Sequence, residues 1–475
     1  MMAKTESGTG DKSQSHVQLV VLTAVALGII FGYDNGNIGG AQLFFEVDLD
    51  LDRSQIELVT AVLVSGELLG CLAGGFLANL LGRKKVVILA TAGYVLFCLT
   101  SAFSANLAQL QVSRALLGIS IGVSLVAAPV FIAESVPIRT RGSTLVMFQV
   151  TCVAGTILGL VGSILLAGLD QGVNWRVMLG LAAIPAALLL PILIRVPETA
   201  NWLLLKGREE DARATLTRLE PDEDPEPLIA EIEAAIAEET GGAFREMLTR
   251  PYLRATVFVV TLGFFVQITG INATVTYGPR IFKALGIDSA ERSLLLEALV
   301  QVIALIAVLA SMSVIDSLGR RPTLLTGIGI MVFAQIMLVV AFGTEVGNTL
   351  DGAQVVLGFA GLALINVGFV FGFGALVWVY SVESFPARLR AYGSSIMLSA
   401  VLFGNLLIAR YFLFVLETIG GAWSFGMFAA LAVVAWFFVY KFAPETKGRP
   451  LDDIRYFWEN GGKWPEESGP SSGRA

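Results

Sequence analysis

One phrase occurs twice in this chain, as Glu134-Ser135-Val136-Pro137-Ile138-Arg139-Thr140-Arg141 and as Glu383-Ser384-Phe385-Pro386-Ala387-Arg388-Leu389-Arg390. Two others double in the same order: Gly82-Arg83-Lys84 with Gly319-Arg320-Arg321, and Pro197-Glu198-Thr199 with Pro444-Glu445-Thr446. Partners lie roughly 240–250 residues apart, so one half of the chain repeats the other in the same orientation. The residues between the phrases are mostly apolar: 55% of the chain is hydrophobic and 15% charged, with a mean hydropathy of +0.73. Runs long enough to span about 30 Å of hydrocarbon fall near 17–40, 55–80, 86–104, 108–133, 143–168, 176–195, 254–278, 293–315, 322–343, 353–381, 391–416 and 422–442. Six runs per half, repeated in parallel, is an arrangement of membrane transporters with a solute site where the halves meet.

The first run is too long for a cleavable signal and carries Gly32-Tyr33-Asp34 within it. The net charge of −7 matters less than where the charges lie. Arg83, Lys84, Lys85, Arg139 and Arg141 occupy one set of short loops, matched by Arg320, Arg321, Arg388 and Arg390. The opposite loops are poorer in Lys and Arg, and the first is acidic, with Glu46, Asp48, Asp50 and Asp52. By the positive-inside rule both termini and the doubled basic phrases face the cytoplasm of a cell membrane. Cys71, Cys98 and Cys152 fall inside apolar runs and are packing residues.

The expected units are a disordered tail over 1–16, a six-helix unit over 17–197, and a second over 254–443, with a terminal segment over 444–475. Between the units, 198–253 is polar and helix-favouring; Trp202 to Leu205, and Leu228, Ile229, Ile232 and Ile236, give apolar faces at helical spacing. Short cytoplasmic helices broken at the acidic stretch 220–227 are expected there, with a flexible linker as the alternative. The ends of the chain, 1–15 and about 457–475, read as disordered.

Ionisable residues inside the runs are scarce, and each is a functional candidate. Asp34 in the first run and Arg114 in the fourth come to similar depth in the outer third of a bilayer. Pairing lowers the cost of burying either, and protonating Asp34 would release Arg114; a static bridge that only fixes packing is the simpler role. Glu67, and Glu297 near the start of the eighth run, are secondary candidates whose simpler role is to face water. At the basic loops, Arg83, Glu134 and Arg141, with Arg320, Glu383 and Arg390 repeating them, suit a latch that closes in one conformation and opens in another. Helix orientation alone explains the Arg residues but not the repeated Glu.

As an ordered set, Gly32-Tyr33-Asp34-x-Gly36, Gly82-Arg83, Glu134-Ser135-x-Pro137 through Arg141-Gly142, Pro197-Glu198-Thr199, Gln267-x-x-Gly270-Ile271-Asn272, Gly319-Arg320-Arg321 and Pro444-Glu445-Thr446-Lys447-Gly448 resemble the sugar porter family of the major facilitator superfamily. The resemblance covers about residues 17–455. It implies an all-α membrane protein of twelve transmembrane helices in two pseudo-symmetric six-helix domains, with cytoplasmic helices between them and alternating access. It implies that Asp34 and Arg114 form a proton-coupling pair, and that Glu198 and Glu445 join the cytoplasmic gate. It also places Gln149, Gln267, Asn272 and Trp378 at sugar-contacting positions, where amides match hydroxyls and an indole covers the apolar face of a pyranose. Departures from the family pattern at Val266, Thr276, Ala304, Ala375 and Leu402 leave fewer polar partners, which implies weak hexose binding or a different polyol.

Other classes fit poorly. No Gly-x-x-x-x-Gly-Lys-Ser/Thr is present for a nucleotide-driven pump. His16 is the only histidine, so a metal enzyme is not expected. Asp48, Asp50 and Asp52 mimic the start of a calcium loop, but Arg53 and Val59 stand where Gly and Glu are needed, leaving a solvated loop as the expectation. Gly66, Gly70 and Gly74, four residues apart, suit tight helix packing. The expectation is a monomeric symporter, not an enzyme, without cofactor or nucleic acid, whose partners are a small sugar or polyol, a proton and the bilayer. The alternatives are an uncoupled facilitator and a transporter-like sugar sensor.

Overall fold

In the computed structural model of the chain, residues 7–136, 138–219, 224–238, 243–343, 352–386, 389–449 and 451–464 are described, and every regular element among them is helical. Arg388 and the side chains of His16, Arg139 and Arg141 lie outside the described residues. Among the described residues twelve helices are long and apolar enough to cross a membrane. In the first half these are α1 (Ser7–Asp48), α2 (Arg53–Leu81), α3 (Arg83–Ala102), α4 (Leu107–Glu134), α5 (Ile138–Leu166) and α6 (Asn174–Arg195). The second half has α7 (Leu253–Ala284), α8 (Ala290–Leu318), α9 (Arg320–Gly343), α10 (Gly352–Glu383), α11 (Arg390–Ile419) and α12 (Gly421–Phe442). With an even number of spans before and after it, the linker lies on the face that carries both chain ends, here the linker face.

α1 is longer than its apolar run at both ends. It begins at Ser7, inside the segment expected to be disordered, because no proline interrupts a helix that is already nucleated. It ends at Asp48 instead of near residue 40, because Phe45 is fully buried edge-on to Trp175, with ring centroids 6.1 Å apart. Asp48 is not a solvated loop residue either. It accepts from Trp175 Nε1 at 3.0 Å and Arg176 Nη1 at 2.7 Å, while Asp52 forms a capping box with Gln55 that starts α2.

Backbones approach closely within the first half. A Cβ on Gly32 would stand 1.8 Å from the Cys152 carbonyl oxygen, and one on Gly36 2.1 Å from that of Thr156, so α1 lies on α5 with no side chain between. Gly66 and Gly70 likewise press α2 onto α4, where a Cβ would come within 2.2 and 2.3 Å of the Ala115 and Ile119 carbonyl oxygens.

The doubled phrases meet in space. Gly82 and Gly319 start α3 and α9 in the left-handed region, with φ of 109° and 95°. Glu198 folds back onto the first of these starts and accepts from the backbone N–H of Lys84 and of Thr199, each at 3.0 Å. Glu445 accepts from Arg320 N at 3.0 Å, Arg321 N at 3.1 Å and Lys447 N at 2.8 Å. Each carboxylate thus satisfies N–H groups that a helix start leaves free and sits at the positive end of its dipole. The basic residues answer at the other terminus: Lys84 Nζ donates to the Ile194 carbonyl at 2.9 Å, and Arg321 Nη2 to that of Tyr440.

The linker folds into helices Ala200–Leu205, Glu209–Leu219, Pro225–Glu238 and Ala243–Met247. Trp202, Leu203, Leu204, Ala212, Leu216 and Ile229 form its own apolar core, flanked by Leu228, Ile232 and Ile236. The break expected over 220–227 falls partly on 220–223, outside the described residues. Arg213 bonds Glu226 and Glu209 on its surface, and these bonds raise its pKa above the usual guanidinium value. Trp202 Nε1 ties the linker to α2 through the Asn79 carbonyl at 3.0 Å. At the chain end, a helix over Leu451–Glu459 buries Ile454 and Trp458 against the second half, and the Trp464 ring lies tilted against Phe457 with centroids 4.6 Å apart. Order therefore runs further than the disorder expected from about 457 onward; 465–475 lie outside the described residues.

The halves close on the face opposite the linker. The largest apolar cluster joins Ile38, Phe45, Ile56 and Trp175 of the first half to the core of the second. Three ion pairs cross there among the described residues: Arg280 with Glu46 at 2.9 Å, Arg410 with Glu57 at 3.0 Å, and Arg53 with Glu417 at 3.6 Å. The last is exposed and worth little. Glu57 is 1% exposed and also accepts from the Phe414 backbone N–H at 2.7 Å, so it depends on α11 for both of its oxygens.

Glu198→Ala or Glu445→Ala strips a helix start of its acceptor and should lower stability by about 1–3 kcal/mol, read as a lower thermal midpoint in detergent. Arg410→Ala leaves Glu57 without its cation and should favour opening of this face by about 1–3 kcal/mol. Maleimide labelling of Ile38→Cys from that face should then rise; labelling equal to that of the parent would show that the pair holds nothing shut.

Candidate functional site

A narrow cavity lies between the halves, with walls from α1, α2, α4, α7 and α11. The first half lines it with Asp34, Asn35, Thr60, Glu67 and Arg114, and the second with Asn272, Thr276, Tyr277 and Asn405. Its interior of about 20 Å³ has room for a water molecule and not for a sugar.

Arg114 Nη1 donates to Asp34 Oδ1 at 3.2 Å, so the acid and base picked out in the sequence do meet. The meeting follows from helix packing. Gly32 and Gly36 flank Asp34 and let α1 sink onto α5, which leaves the intervening face of α1 toward α4 and the cavity. Asp34 lies 14 residues before the end of α1 and Arg114 7 residues after the start of α4. At 1.5 Å per residue α1 therefore projects about 10 Å beyond α4, and the pair sits deeper relative to α1 than its shorter apolar run implied. Burial makes each charge dependent on the other.

Glu67 and Glu297, the secondary candidates whose simpler role is to face water, do not face it. Glu67 is buried and lines the cavity beside the pair. Glu297 is buried on α8, accepts from Gln301 Nε2 at 2.8 Å, and has its other oxygen packed against Gly278 without a hydrogen bond among the described residues. Helix-to-helix packing, which a single apolar run does not display, turns both inward.

The four sugar-site candidates are not gathered in the cavity and share no hydrogen bond among the described residues. Asn272 lines the cavity. Gln267 precedes it across a break in α7, where Gly270 takes φ 96° and separates Leu253–Ile268 from Ile271–Ala284. The Thr269 carbonyl in that break is taken by Gln335 Nε2 at 2.7 Å. Gln149 is exposed and Trp378 is 45% exposed, both toward the linker face. Trp378 follows a π-helical turn at Val370–Gly374, where α10 presses Gly372 onto Gly327 of α9. Of the departures, Thr276 lines the cavity, but Val266, Ala304 and Leu402 are packed away from it. Val266 lies in the main core, and Leu402 packs with Cys71 and Leu398 between α2 and α11.

The latch residues divide differently from the triads expected. Arg83 Nε stands 3.4 Å from Glu134 Oε2 within the first half. The Arg141 side chain lies outside the described residues. In the second half Arg390 Nε donates to the Phe385 carbonyl at 3.3 Å instead of to Glu383, whose Oε2 is buried without a hydrogen bond among the described residues. The backbone of Arg320, with Glu198 and Glu445, is engaged in the helix starts. Each of these contacts lies within one half.

Asn35, Thr60 and Asn405 were not singled out by sequence reasoning. Asn405 carried a signal, a lone amide in the apolar run Leu402-Phe403-Gly404-Asn405-Leu406-Leu407. Asn35 was masked by its neighbour Asp34.

Residues 20–458 match the family model described as sugar (and other) transporter. Polyol transporter 5 of Arabidopsis thaliana is 31% identical over 97% of this chain and 89% of its own length. The putative metabolite transport protein YncC of Bacillus subtilis (strain 168) is 32% identical over 92% and 94%. Among solved structures, the inward open conformation of the xylose transporter XylE from E. coli superposes with a TM-score of 0.80 at 24% identity, covering 93% of this chain and 100% of that one. These relatives are transporters and not enzymes, and the chain belongs to the sugar porter family of the major facilitator superfamily.

Proposed function

We propose that this protein is a monomeric symporter that carries a small polyol or related monosaccharide with a proton by alternating access. The observation that carries the reading is the Asp34–Arg114 pair, buried inside the cavity between the halves and next to amides that suit hydroxyl groups. An ionised pair at that depth is expensive unless it is used. Protonation of Asp34 removes the counter-charge of Arg114 and so changes which arrangement of the halves is favoured, while a solute bridging Asn272 of one half to Asn35 of the other favours their closure. A polyol is favoured over a hexose by the names of the curated relatives and by the short amides and hydroxyls that line the cavity. Arg83, Lys84, Lys85, Arg320 and Arg321 gather at the linker face, which supports a cytoplasmic placement for it in the cell membrane.

In proteoliposomes, an imposed inward proton gradient should drive accumulation of an accepted polyol such as sorbitol or myo-inositol in preference to glucose. Asp34→Asn should abolish accumulation and leave solute exchange intact; a mutant that still accumulates would exclude the coupling role. Asn405→Ala should raise KM for the accepted solute by about 2–10-fold with kcat little changed, the loss of one hydrogen bond. An unaltered KM would place the solute elsewhere.

A further inference from the structure

Two carboxyls and one guanidinium share the cavity. Asp34 is 4% exposed, Glu67 7% and Arg114 1%, and all three line it. Arg114 uses Nη1 on Asp34, while its Nε and Nη2 are buried without a hydrogen bond among the described residues. Arg114, Gly118 and Gly122 follow one another at four-residue spacing, hence along one face of α4. That face is pressed onto α2 at Glu67: a Cβ on Gly122 would stand 2.0 Å from the Glu67 carbonyl oxygen, and one on Gly118 3.1 Å from its nitrogen. The Glu67 backbone is thereby held against the face of α4 that carries Arg114, and its side chain lines the same cavity within electrostatic reach of both members of the pair.

The charges do not balance if both carboxyls are ionised. Two negative groups against one positive would leave a net charge in hydrocarbon. Among the described residues no other cation lines the cavity. Of the titratable groups on the elements packed there, α1 adds Tyr33, α2 Cys71, α3 Tyr94 and Cys98, and α7 Tyr277, while α11 lines the cavity with the neutral amide of Asn405. Arg280 and Arg410 are committed to Glu46 and Glu57. One proton restores neutrality.

We propose that Glu67 is a second seat for that proton and the alternate partner of Arg114. With the proton on Glu67, Asp34 is ionised and paired. When the proton leaves the Glu67 carboxyl for the Asp34 carboxylate, Glu67 becomes the carboxylate and the free Nε and Nη2 of Arg114 take it up. The three groups sum to zero before and after, so Arg114 is never stranded. This rests on the proton-coupled reading above and deepens it, because Asp34 alone could be protonated only by leaving a lone buried cation.

Infrared difference spectra of the purified protein at neutral pH test the seat without any solute. Glu67→Gln should lose one protonated-carboxyl C=O band relative to the parent, and Glu67→Asp should keep it. Asp34→Asn should lose it too, because Glu67 must then ionise to face Arg114. A band kept in both Glu67→Gln and Asp34→Asn overturns the proposal, and Asp34→Asn decides alone if Glu67→Gln does not fold. In proteoliposomes supplied with sorbitol or D-xylose, accumulation by Glu67→Gln should need a medium about tenfold richer in protons than the parent does. An unshifted pH profile would reduce Glu67 to packing. A parent protein that accumulates neither solute would sink the coupling reading, while the infrared bands would still decide where the proton resides.

Discussion

An ionised side chain between membrane helices has to bring its counter-charge with it, and the layout of this protein follows from where those counter-charges are found. On the face opposite the linker three of them cross to the other half, Glu46 with Arg280, Glu57 with Arg410 and Glu417 with Arg53, while Asp48 finds Arg176 in its own. At the centre and on the linker face they are found in the same half, as in Asp34 with Arg114 and Arg83 with Glu134. The described ion pairs therefore hold the halves together at one end only. The other end can part without breaking any of them.

The second half supplies the irregular backbone near the candidate solute contacts. The left-handed Gly270 interrupts α7 between Gln267 and Asn272, and a π turn precedes Trp378 in α10. Backbone groups freed from a helix inside a membrane need partners, and Gln335 provides one for Thr269. Such interruptions are tolerated where they border a cavity, and here they lie next to candidate solute contacts. The first half, glycine-packed around α1 and α5, has its own break at Ala182 in α6, away from the cavity lining, and supplies the Asp34, Glu67 and Arg114 charges of the cavity. The charged cluster of the cavity and the Gly270 break thus come from different halves and face each other across the same space.

The fold was largely legible because a run of apolar residues bounded by Gly, Pro or charge has few alternatives once a repeat fixes its count. What stayed hidden depended on contacts between distant segments. The end of α1 was misplaced because Trp175, far along the chain, makes Phe45 a buried residue and Asp48 a hydrogen-bonded one. Repetition marked Glu198 and Glu445 as important, but only the folded chain brings them to the N–H groups of Lys84 and Arg320. Asp34 and Arg114 were found because charges are rare in apolar helices, whereas Glu67 looked ambiguous until Gly118 and Gly122 fixed the face it presents. Leu402 was expected at the solute and packs between α2 and α11, a difference of helix rotation that spacing alone does not determine.

The back-folded carboxylates have a mechanical meaning. Glu198 is met just after α6 leaves the membrane and Glu445 just after α12, yet each clasps the beginning of the third helix of its own half. Lys84 and Arg321 return the grip onto the ends of α6 and α12. Each bundle is thereby a closed hoop, with its exit fastened to its interior, and tension applied at the exit is borne by α3 or α9 before it reaches the cavity. A movement of one hoop against the other can then pass through the linker without loosening either.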